Sequence, residues 1–432
     1  MCINNLRDVS CPASWQNISK IKNRVSSENE RLRKIYTQKK EHKLKRVGNI
    51  YPKIYDMANL EKAFKLAEKK AKKQAKKSKA KREHYLEIKN NKEFYLKKLQ
   101  ESLIDKTYKT SEYKRFKKYD SGKMREITDL PFYPDRIAQR ALMNLIEPII
   151  IKTLIYHTFA ALPKRGAHLA LQKLRQFMKK DKEGTQYCLK TDVKKYFNNI
   201  DGNILKQMLR RKIKCKDTLW LLDEIIDSYP QGIPIGNYTS QYFGNYFLSQ
   251  FDHWIKEVEH RKYYERYMDD KIILGGTKEE LHQLLDRMKI YLSNIGLRLK
   301  DNYQIYPTRL VEKELEDVSS EEEKRNLEKR KVRGIDFVGY RTFDNYTLLR
   351  KTTKKNLKKA TRAIRRRADN KQSATNRNLG AFASYNGILK HCSGFHLRQN
   401  SLSQVEKYIK KEIKKCKTTK KLSEVKQTDQ KS

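Results

Sequence analysis

The sequence predicts an α+β fold in which an antiparallel sheet carries carboxylates on one face and helices on the other. Short apolar runs typical of strands alternate with segments of helical periodicity. Two adjacent aspartates stand at the turn of a predicted hairpin, and a third aspartate ends another apolar strand. From that third aspartate onward, the predicted order is strand, helix, loop and helix, hairpin, helix, strand, strand.

The first strand of this series is predicted in QYCLKTDVKKYFNNID, where an apolar run ends at Asp192 and a helix follows that Asp201 could cap. A loop rich in Gly and Pro then leads into YTSQYFGNYFLSQFDHWI, whose aromatic side chains recur at spacings of three and four. This spacing predicts a helix with a stripe of residues in the core: Phe243, Phe247, Phe251, Trp254 and Ile255.

The hairpin is predicted in YYERYMDDKIILGG, from Tyr263 to Gly276. Two carboxylates about 4 Å apart repel each other by roughly 4 kcal/mol at an effective dielectric constant near 20. Asp269 and Asp270 at the turn therefore require a nearby positive charge, unless the turn is exposed to solvent, where Asp is common.

Further elements are predicted after the hairpin. Thr277 and Glu280 form a capping box that starts a helix ending near Asn294. Strands are predicted in GLRLKDNYQIYP and, beyond a charged insertion at about 310–331, in RGIDFVGYRTF.

Composition divides the chain into three parts. Residues 1–105 form a basic extension, which is weakly patterned at first and, from about residue 59, rich in helix formers without Pro or Gly. Residues 106–345 hold the predicted sheet, and residues 346–432 form a basic helical domain that ends in a frayed tail. The lysines of the extension are either a solvated helix face or an arm that lies along a phosphate backbone.

The net charge predicts a polyanionic partner. The chain has 98 Lys and Arg residues against 51 Asp and Glu residues, a formal charge of +47. Nucleic acid is the usual partner of so basic a protein, and the 26 tyrosines suit stacking on bases better than binding to an anionic membrane. No apolar run approaches the length of a spanning helix, and the N-terminal residues lack the apolar region of a signal peptide, so a cytoplasmic location is expected. The six cysteines show no zinc-type spacing.

The three aspartates predict a metal centre. If the strand that ends at Asp192 lies beside the hairpin, its carboxylate converges with those of Asp269 and Asp270. Such a cluster of oxygen ligands is typical of two Mg²⁺ ions about 3.5 to 4 Å apart, with Mn²⁺ as a possible substitute. The metals would then supply the positive charge that the hairpin requires.

Four motifs resemble those of reverse transcriptases, in order and in spacing. They are the segment around Asp192, the loop GIPIGNYTSQ at 232–241, YMDD at 267–270 and FVGY at 337–340, and the resemblance covers about 106–398. It implies a right-hand polymerase with fingers and palm in 106–345 and a helical thumb from 346. It also implies an RNA-directed DNA polymerase whose partners are template RNA, primer, cDNA and deoxynucleoside triphosphates.

Within this family, the Gly-Asn-x-x-Ser-Gln form of the loop is similar to that of bacterial diversity-generating retroelement enzymes. That resemblance implies error-prone copying of a template RNA together with a basic accessory protein. The long extension and the charged insertion depart from the pattern of that group. Bacterial antiphage defence reverse transcriptases are the alternative.

The resemblance implies roles for the acidic cluster. Asp192 and Asp269 would hold both metals, with Asp270 close by. The Val193 carbonyl would be an additional ligand. Phe197 matches the steric gate, whose ring clashes with a ribose 2′-hydroxyl and selects deoxynucleotides; the alternative is a core phenylalanine at the start of a helix.

The resemblance also implies roles for residues around the cluster. Lys123 and Arg125 match a basic clamp on the triphosphate, and Lys300 matches a general acid for pyrophosphate. Gly236, Ser240 and Gln241 match a loop beneath the templating base. Gly339 and Tyr340 match the primer grip. An exposed basic pair without such a role is the alternative for the clamp.

Two other functions compete with reverse transcription. An RNA-directed RNA polymerase has the same palm but usually has Gly before the paired aspartates and a smaller or polar gate, unlike Met268 and Phe197. A non-catalytic nucleic-acid-binding protein could retain a degenerate palm, but all three expected carboxylates are present.

Overall fold

The computed structural model describes the backbone of residues 46–120, 123–310, 316 and 319–428, and the side chains of these residues apart from 120, 123 and 416–428. Residues 1–45 of the predicted extension, 311–315 and 317–318 of the charged insertion and the last four residues of the predicted tail lie outside this range. Within the described residues, no helix has both the length and the apolar character needed to span a bilayer.

The helical part of the extension forms four helices: α1 (Tyr51–Tyr55), α2 (Met57–Ala75), α3 (Lys79–Asn90) and α4 (Lys92–Ile104). The Asp56 side chain caps α2 by accepting hydrogen bonds from the Ala58 and Asn59 amides. Leu60 and Phe64 lie on the buried face of α2, and most of its lysines lie on the exposed face. The apolar face packs on α5 (Ile137–Ile151), where the Asn59 side-chain amide donates from Nδ2 to the Ala141 carbonyl oxygen at 3.1 Å.

A two-stranded hairpin follows the extension. Strands β1 (Lys114–Asp120) and β2 (Lys123–Asp129) pair antiparallel, with Lys118 opposite Arg125. After α5, helix α6 (Ala167–Lys180) leads to the central sheet.

The central sheet has four antiparallel strands: β3 (Tyr187–Thr191), β4 (Tyr264–Tyr267), β5 (Asp270–Gly275) and β6 (Gln304–Pro307). Their order across the sheet is β4, β5, β3, β6. Thr191 is paired with Lys271, so the strand that precedes Asp192 lies directly beside the second strand of the hairpin. The adjacency that the sequence analysis requires is therefore present.

Five helices pack around this sheet: α7 (Gly202–Arg210), α8 (Lys216–Asp227), α9 (Tyr238–Phe247), α10 (Ser249–Glu257) and α11 (Lys278–Ser293). Asp201 caps α7, and the capping box of Thr277 and Glu280 starts α11, as the sequence predicts. The predicted aromatic stripe is buried, but it belongs to two helices, because the chain leaves the helical path at Leu248.

The C-terminal part begins with α12 (Glu321–Lys331) and a second antiparallel sheet of β7 (Ile335–Phe337), β8 (Tyr340–Thr342) and β9 (Thr347–Leu349). Four helices follow: α13 (Lys351–Asp369), α14 (Asn376–Leu389), α15 (Phe395–Gln399) and α16 (Ser403–Thr428). They share a core of their own that includes Leu357, Ile364 and Ile409. Helix α16 continues into the stretch that the sequence predicts to be frayed.

A buried ion pair supports the turn between β4 and β5. Arg266 and Asp252 are both fully buried, and the guanidinium donates to the two carboxylate oxygens at 2.8 and 2.6 Å. Arg266 also donates to the Met268 carbonyl oxygen at 2.7 Å and to the Asn245 carbonyl oxygen at 3.1 Å. Tyr264 donates its hydroxyl to Asp252 at 2.6 Å. The pair therefore joins β4, α9 and α10 to the backbone of the turn.

Replacing Arg266 should destabilise the protein strongly. Arg266→Met leaves the Asp252 carboxylate buried without its partner, so we expect the free energy of unfolding to fall by about 3–5 kcal/mol in urea denaturation. Lys206→Met is the control, because its partner Asp227 is 58% exposed and such pairs contribute about 1 kcal/mol or less. Equal losses in the two variants would contradict a supporting role for the buried pair.

Candidate active site

The carboxylates predicted from the sequence line one cavity of about 810 Å³. Asp192 enters it directly after β3, Asp269 enters it from the turn between β4 and β5, and Asp270 enters it from the first position of β5. Other residues of the lining come from strands β2 and β7, the segment after β3, the loop before α9, the segment that leads into β6, and the residue before α13. They are Arg125, Val193, Phe197, Ile233, Ile235, Lys300, Asn302, Gln304, Asp336 and Arg350.

Backbone hydrogen bonds fix the positions of these aspartates. The Lys300 amide donates to the Asp192 carbonyl oxygen at 2.8 Å, which ties the end of β3 to the segment before β6. Tyr267 pairs with Asp270, so the hairpin turn consists of two residues. Met268 has a φ of 58°, a left-handed conformation that a tight hairpin turn requires. The Asp269 carboxylate is thus attached to a short, well-braced turn.

Lysines supply the positive charge near the carboxylates. Lys300 forms an ion pair with Asp192, and the Lys190 Nζ lies 4.0 Å from Asp270 Oδ2. Buried Lys271 donates to the Asp269 carbonyl oxygen at 3.0 Å. With two carboxylates drawn toward lysines, the described part of the chain holds no group of three His, Cys, Asp or Glu side chains arranged to bind a metal ion.

Burial moves the pKa values of two neighbouring groups toward each other. It raises the pKa of Asp270 to about 6, with the Asp269 charge adding to the rise and Lys190 opposing it. Burial also lowers the pKa of Lys271 to about 8. Among the described residues, Asp270 Oδ1 has no hydrogen-bond partner although it is buried. This oxygen is therefore an acceptor that a bound cation would satisfy.

Phe197 lies on the wall of the cavity next to Asp192. Its carbonyl oxygen accepts a hydrogen bond from the Ile233 amide at 2.8 Å, which fixes the segment to the loop before α9. A Cβ at Gly244 would lie 3.4 Å from the Phe197 ring, so the absence of a side chain there leaves room for the ring. The ring is half-buried and faces both the core and the cavity.

The predicted loop residues lie behind the cavity wall. Gly236 has a φ of 141°, and a Cβ there would lie 2.1 Å from the Thr128 carbonyl oxygen, so only glycine fits against β2. Ser240 is buried within α9, and Gln241 is exposed on that helix. The residues of this loop that line the cavity are Ile233 and Ile235.

The other predicted contacts divide between the cavity and the core. Arg125 lines the cavity, whereas the Lys123 side chain lies outside the described residues. Tyr340 is only 2% exposed and donates its hydroxyl to the Ile388 carbonyl oxygen at 3.1 Å, and burial raises its pKa to about 12. Gly339 has a φ of 91° and, like Tyr340, is absent from the cavity lining. The Tyr340 side chain therefore belongs to the C-terminal core.

The sequence model described as reverse transcriptase (RNA-dependent DNA polymerase) matches residues 116–342. The chain belongs to the reverse transcriptase family. Protein YkfC of Escherichia coli is 25% identical over 162 residues, which are 35% of this chain and 40% of YkfC. The group II intron-encoded protein LtrA of Lactococcus lactis is 25% identical over 214 residues, which are 46% of this chain and 34% of LtrA. The chain thus spans less than half the length of these relatives.

Solved telomerase structures are also similar to this reverse transcriptase chain. Apo telomerase from Candida tropicalis has a TM-score of 0.40 and 12% identity, covering 56% of this chain and 48% of that one. The predicted α+β right-hand fold with fingers, palm and thumb is confirmed by the family match. The family match covers residues 116–342, so the assignment of β1 and β2 to the fingers, of the four-stranded sheet to the palm and of α13–α16 to the thumb stays a prediction.

The sequence analysis missed several polar residues of this reverse transcriptase. Lys190 lines the cavity. It lies in an apolar strand two residues before Asp192, and side chains two residues apart in a strand point to the same face, so the sequence could have indicated its position. Arg266 had a similar signal, a charged residue within the tyrosine-rich strand. Asp336 and Arg350 are brought to the cavity by the fold around the thumb, which no local pattern indicated.

Replacing Asp270 should stabilise the metal-free protein as the pH rises. The pKa of Asp270 is about 6 in the folded protein and 3.8 in the reference state, so its ionisation lowers stability between about pH 4 and pH 6 and leaves it lowered above that window. Asparagine does not ionise. We therefore expect Asp270→Asn to increase the free energy of unfolding by about 1–3 kcal/mol at pH 7.5, relative to its effect at pH 4.

Urea denaturation in the presence of a chelator measures this difference. Asp227→Asn is the control, because its exposed pair with Lys206 should change stability by about 1 kcal/mol or less at either pH. An Asp270→Asn protein that is no more stable than the wild type at pH 7.5 would show that the carboxylate is not strained by burial.

Proposed function

We propose that the protein is an RNA-directed DNA polymerase that copies RNA into cDNA by nucleotidyl transfer. The observation that carries this proposal is the convergence of Asp192, Asp269 and Asp270 on one cavity, from two adjacent strands of the palm sheet. The cavity is also lined by Arg125 from strand β2 of the fingers and by Arg350, the residue that precedes the first thumb helix, α13. A nucleotide could therefore contact fingers, palm and thumb together.

The donor chemistry would suit a pair of divalent cations once Lys300 and Lys190 withdraw from Asp192 and Asp270, because the described carboxylates as they stand are not grouped to bind a metal ion. Three carboxylates share the cavity, and Asp270 Oδ1 is a buried oxygen without a partner in the described residues. Asp192, Asp269 and Asp270, with the Val193 carbonyl, would hold two Mg²⁺ ions, for which Mn²⁺ could substitute. When bound, the ions supply activation of the attacking hydroxyl and stabilisation of the leaving phosphate oxygen.

Protein side chains would bind and orient the triphosphate. Arg125 lines the cavity from β2 and offers the forked donor that suits phosphate oxygens, with Lys123 on the same strand as its proposed companion. Lys300 would leave its ion pair with Asp192 and donate a proton from Nζ to the departing pyrophosphate. Asn302 and Gln304 add neutral hydrogen-bonding groups to the same wall.

Phe197 would exclude ribonucleotides. Its ring lies beside Asp192 on the cavity wall and packs near Gly244, while the Ile233 hydrogen bond fixes the backbone of Phe197. A ribose 2′-hydroxyl directed at this ring would meet a rigid apolar surface with no hydrogen-bond partner. Deoxynucleotides are therefore the proposed substrate class.

The remaining predicted residues would act through the backbone. Gly236 lets the loop approach β2 closely, and Ser240 and Gln241 extend this surface into α9, beneath the proposed position of the templating base. Gly339 and Tyr340 would form the primer grip by means of their main chain, because the Tyr340 side chain is buried in the thumb core.

We further propose that the enzyme serves a diversity-generating retroelement and copies its template with frequent errors. The Gly-Asn-x-x-Ser-Gln sequence at 236–241 supports this assignment. Its proposed partners are the template RNA, the primer, the cDNA product and a basic accessory protein, all in the cytoplasm. Antiphage defence is the alternative, and paired near-identical repeats that differ at adenines in the neighbouring DNA would favour the retroelement.

A primer-extension assay tests the polymerase. With Mg²⁺ or Mn²⁺, a primed RNA template and deoxynucleoside triphosphates, the wild type should extend the primer, and Asp269→Asn should reduce extension by about 10³-fold or more because a metal ligand is lost. Affinity for the primed RNA should stay within about threefold, since it depends mainly on phosphate contacts. Asp286→Asn, on the exposed face of α11, is the matched control.

The absence of extension by the wild type with either metal and several templates would favour a non-catalytic RNA-binding protein. Extension with ribonucleotides in preference to deoxynucleotides would favour an RNA-directed RNA polymerase.

Nucleotide choice tests the role of Phe197. In Phe197→Ala the space beside the sugar opens, so kcat/KM for ribonucleotides relative to deoxynucleotides should rise by about 10- to 200-fold. Tyr229→Ala provides the comparison, because its ring lines the same cavity from the side of the fingers and packs on Tyr113. An unchanged ratio in Phe197→Ala would assign the ring to core packing alone.

A further inference from the structure

A chain of polar contacts joins the proposed metal site to the thumb. Lys190 lies in β3, and its Nζ is 4.0 Å from Asp270 Oδ2. The same ammonium group donates a hydrogen bond to the carbonyl oxygen of Asp336 in β7. Lys190 therefore lies between two acceptors, one in the palm sheet and one in the sheet that supports the thumb.

The Asp336 end of this chain is held by the thumb. Arg350, the residue before α13, donates from Nε to the Asp336 carboxylate. The Arg350 amide also donates to the Gly339 carbonyl oxygen at 3.0 Å, which fixes the start of α13 on the second sheet. Lys190, Asp270, Asp336 and Arg350 all line the same cavity.

We propose that Lys190 is a positioning residue that competes with a divalent cation for Asp270, and that Arg350 and Asp336 set the outcome of this competition. The thumb would thereby adjust the affinity of the palm for metal. This inference rests on the proposed polymerase function, because it treats Asp270 as a metal ligand.

Elementary electrostatics supports the competition. An ammonium group and a divalent cation repel each other, so a cation bound at Asp270 Oδ1 is weakened by the Lys190 ammonium group, which lies 4.0 Å from Oδ2 of the same carboxylate. Lys190 is 21% exposed, so solvent screens its charge only in part. The Asp336 carbonyl offers the ammonium group a second position when a metal occupies Asp270. Movement of the thumb that shifts Arg350 and Asp336 would move this second position.

Binding of Mn²⁺ to the full chain, without nucleic acid or nucleotide, tests the first step. At pH 8.5, followed by electron paramagnetic resonance, Lys190→Met should bind Mn²⁺ about three- to tenfold more tightly than the wild type, because the competing charge is gone. Lys190→Gln is the second variant in case the methionine protein folds poorly, as judged by circular dichroism. Lys194→Met is the matched control, since it removes the same charge two residues after Asp192 from an exposed position outside the cavity lining.

A double-mutant cycle tests the link to the thumb. Arg350→Met leaves the Asp336 carboxylate without its guanidinium, so that carboxylate should draw Lys190 away from Asp270 and tighten Mn²⁺ binding by about threefold. The same change in the Lys190→Met background should have a smaller effect, because only the direct action of the Arg350 charge on Asp270 then remains. Arg362→Met, exposed on α13, should leave Mn²⁺ affinity unchanged.

Equal Mn²⁺ affinities for the wild type and both Lys190 variants would overturn the competition. Additive effects of Lys190→Met and Arg350→Met would overturn the link to the thumb. Primer extension is measured separately: a wild type that binds Mn²⁺ as expected but extends no primer would contradict the polymerase and leave the competition standing.

Discussion

The position of the paired aspartates depends on the buried ion pair of Arg266 and Asp252. Two charges without solvent are costly unless their hydrogen bonds are satisfied, and here the guanidinium is bound to a carboxylate and to two backbone carbonyls. One of those carbonyls belongs to Met268, inside the turn itself. The pair thus holds the turn in a fixed position against α9 and α10. The geometry of the cavity therefore depends on a buried contact that does not line it.

The cavity holds an acidic group, Asp270, whose ionisation lowers the stability of the folded protein. Burial makes ionisation of Asp270 unfavourable, and nearby lysines offset only part of that cost. Lys271, buried behind the turn, bears a similar penalty with the opposite sign of charge. Sites that bind cations or phosphates commonly hold such uncompensated groups, since a ligand restores the balance. The stability of this palm is therefore expected to depend on what is bound.

The sequence predicted the features that depend on neighbouring residues and missed those that depend on contacts between distant segments. Strand periodicity and local turn chemistry predicted the strand before Asp192, the hairpin, the cap at Asp201 and the capping box at Thr277. The adjacency of that strand and the hairpin was a condition of the predicted metal centre, and the sheet meets it. Contacts between distant segments left no local pattern, so Asp336 and Arg350 were missed. Tyr340 was predicted at the site, but its side chain points from β8 into the thumb core. The structure has four helices in the part of the extension that it describes, and their breaks at 76–78 and Asn91 interrupt good helix formers without a Gly or Pro that would indicate them.

The contact of the N-terminal helices with the fingers has a practical consequence. The apolar face of α2 covers α5, and the Lys70 Nζ donates to the Gly236 carbonyl oxygen at 3.3 Å. The basic segment is thus integral to the polymerase body and reaches the loop at the back of its cavity. A recombinant polypeptide that begins at β1 would expose the apolar surface of α5 that α2 covers. It would also lose the hydrogen bond from Lys70 to the loop at Gly236. Trimming for expression or crystallisation should accordingly preserve everything from α1 onward.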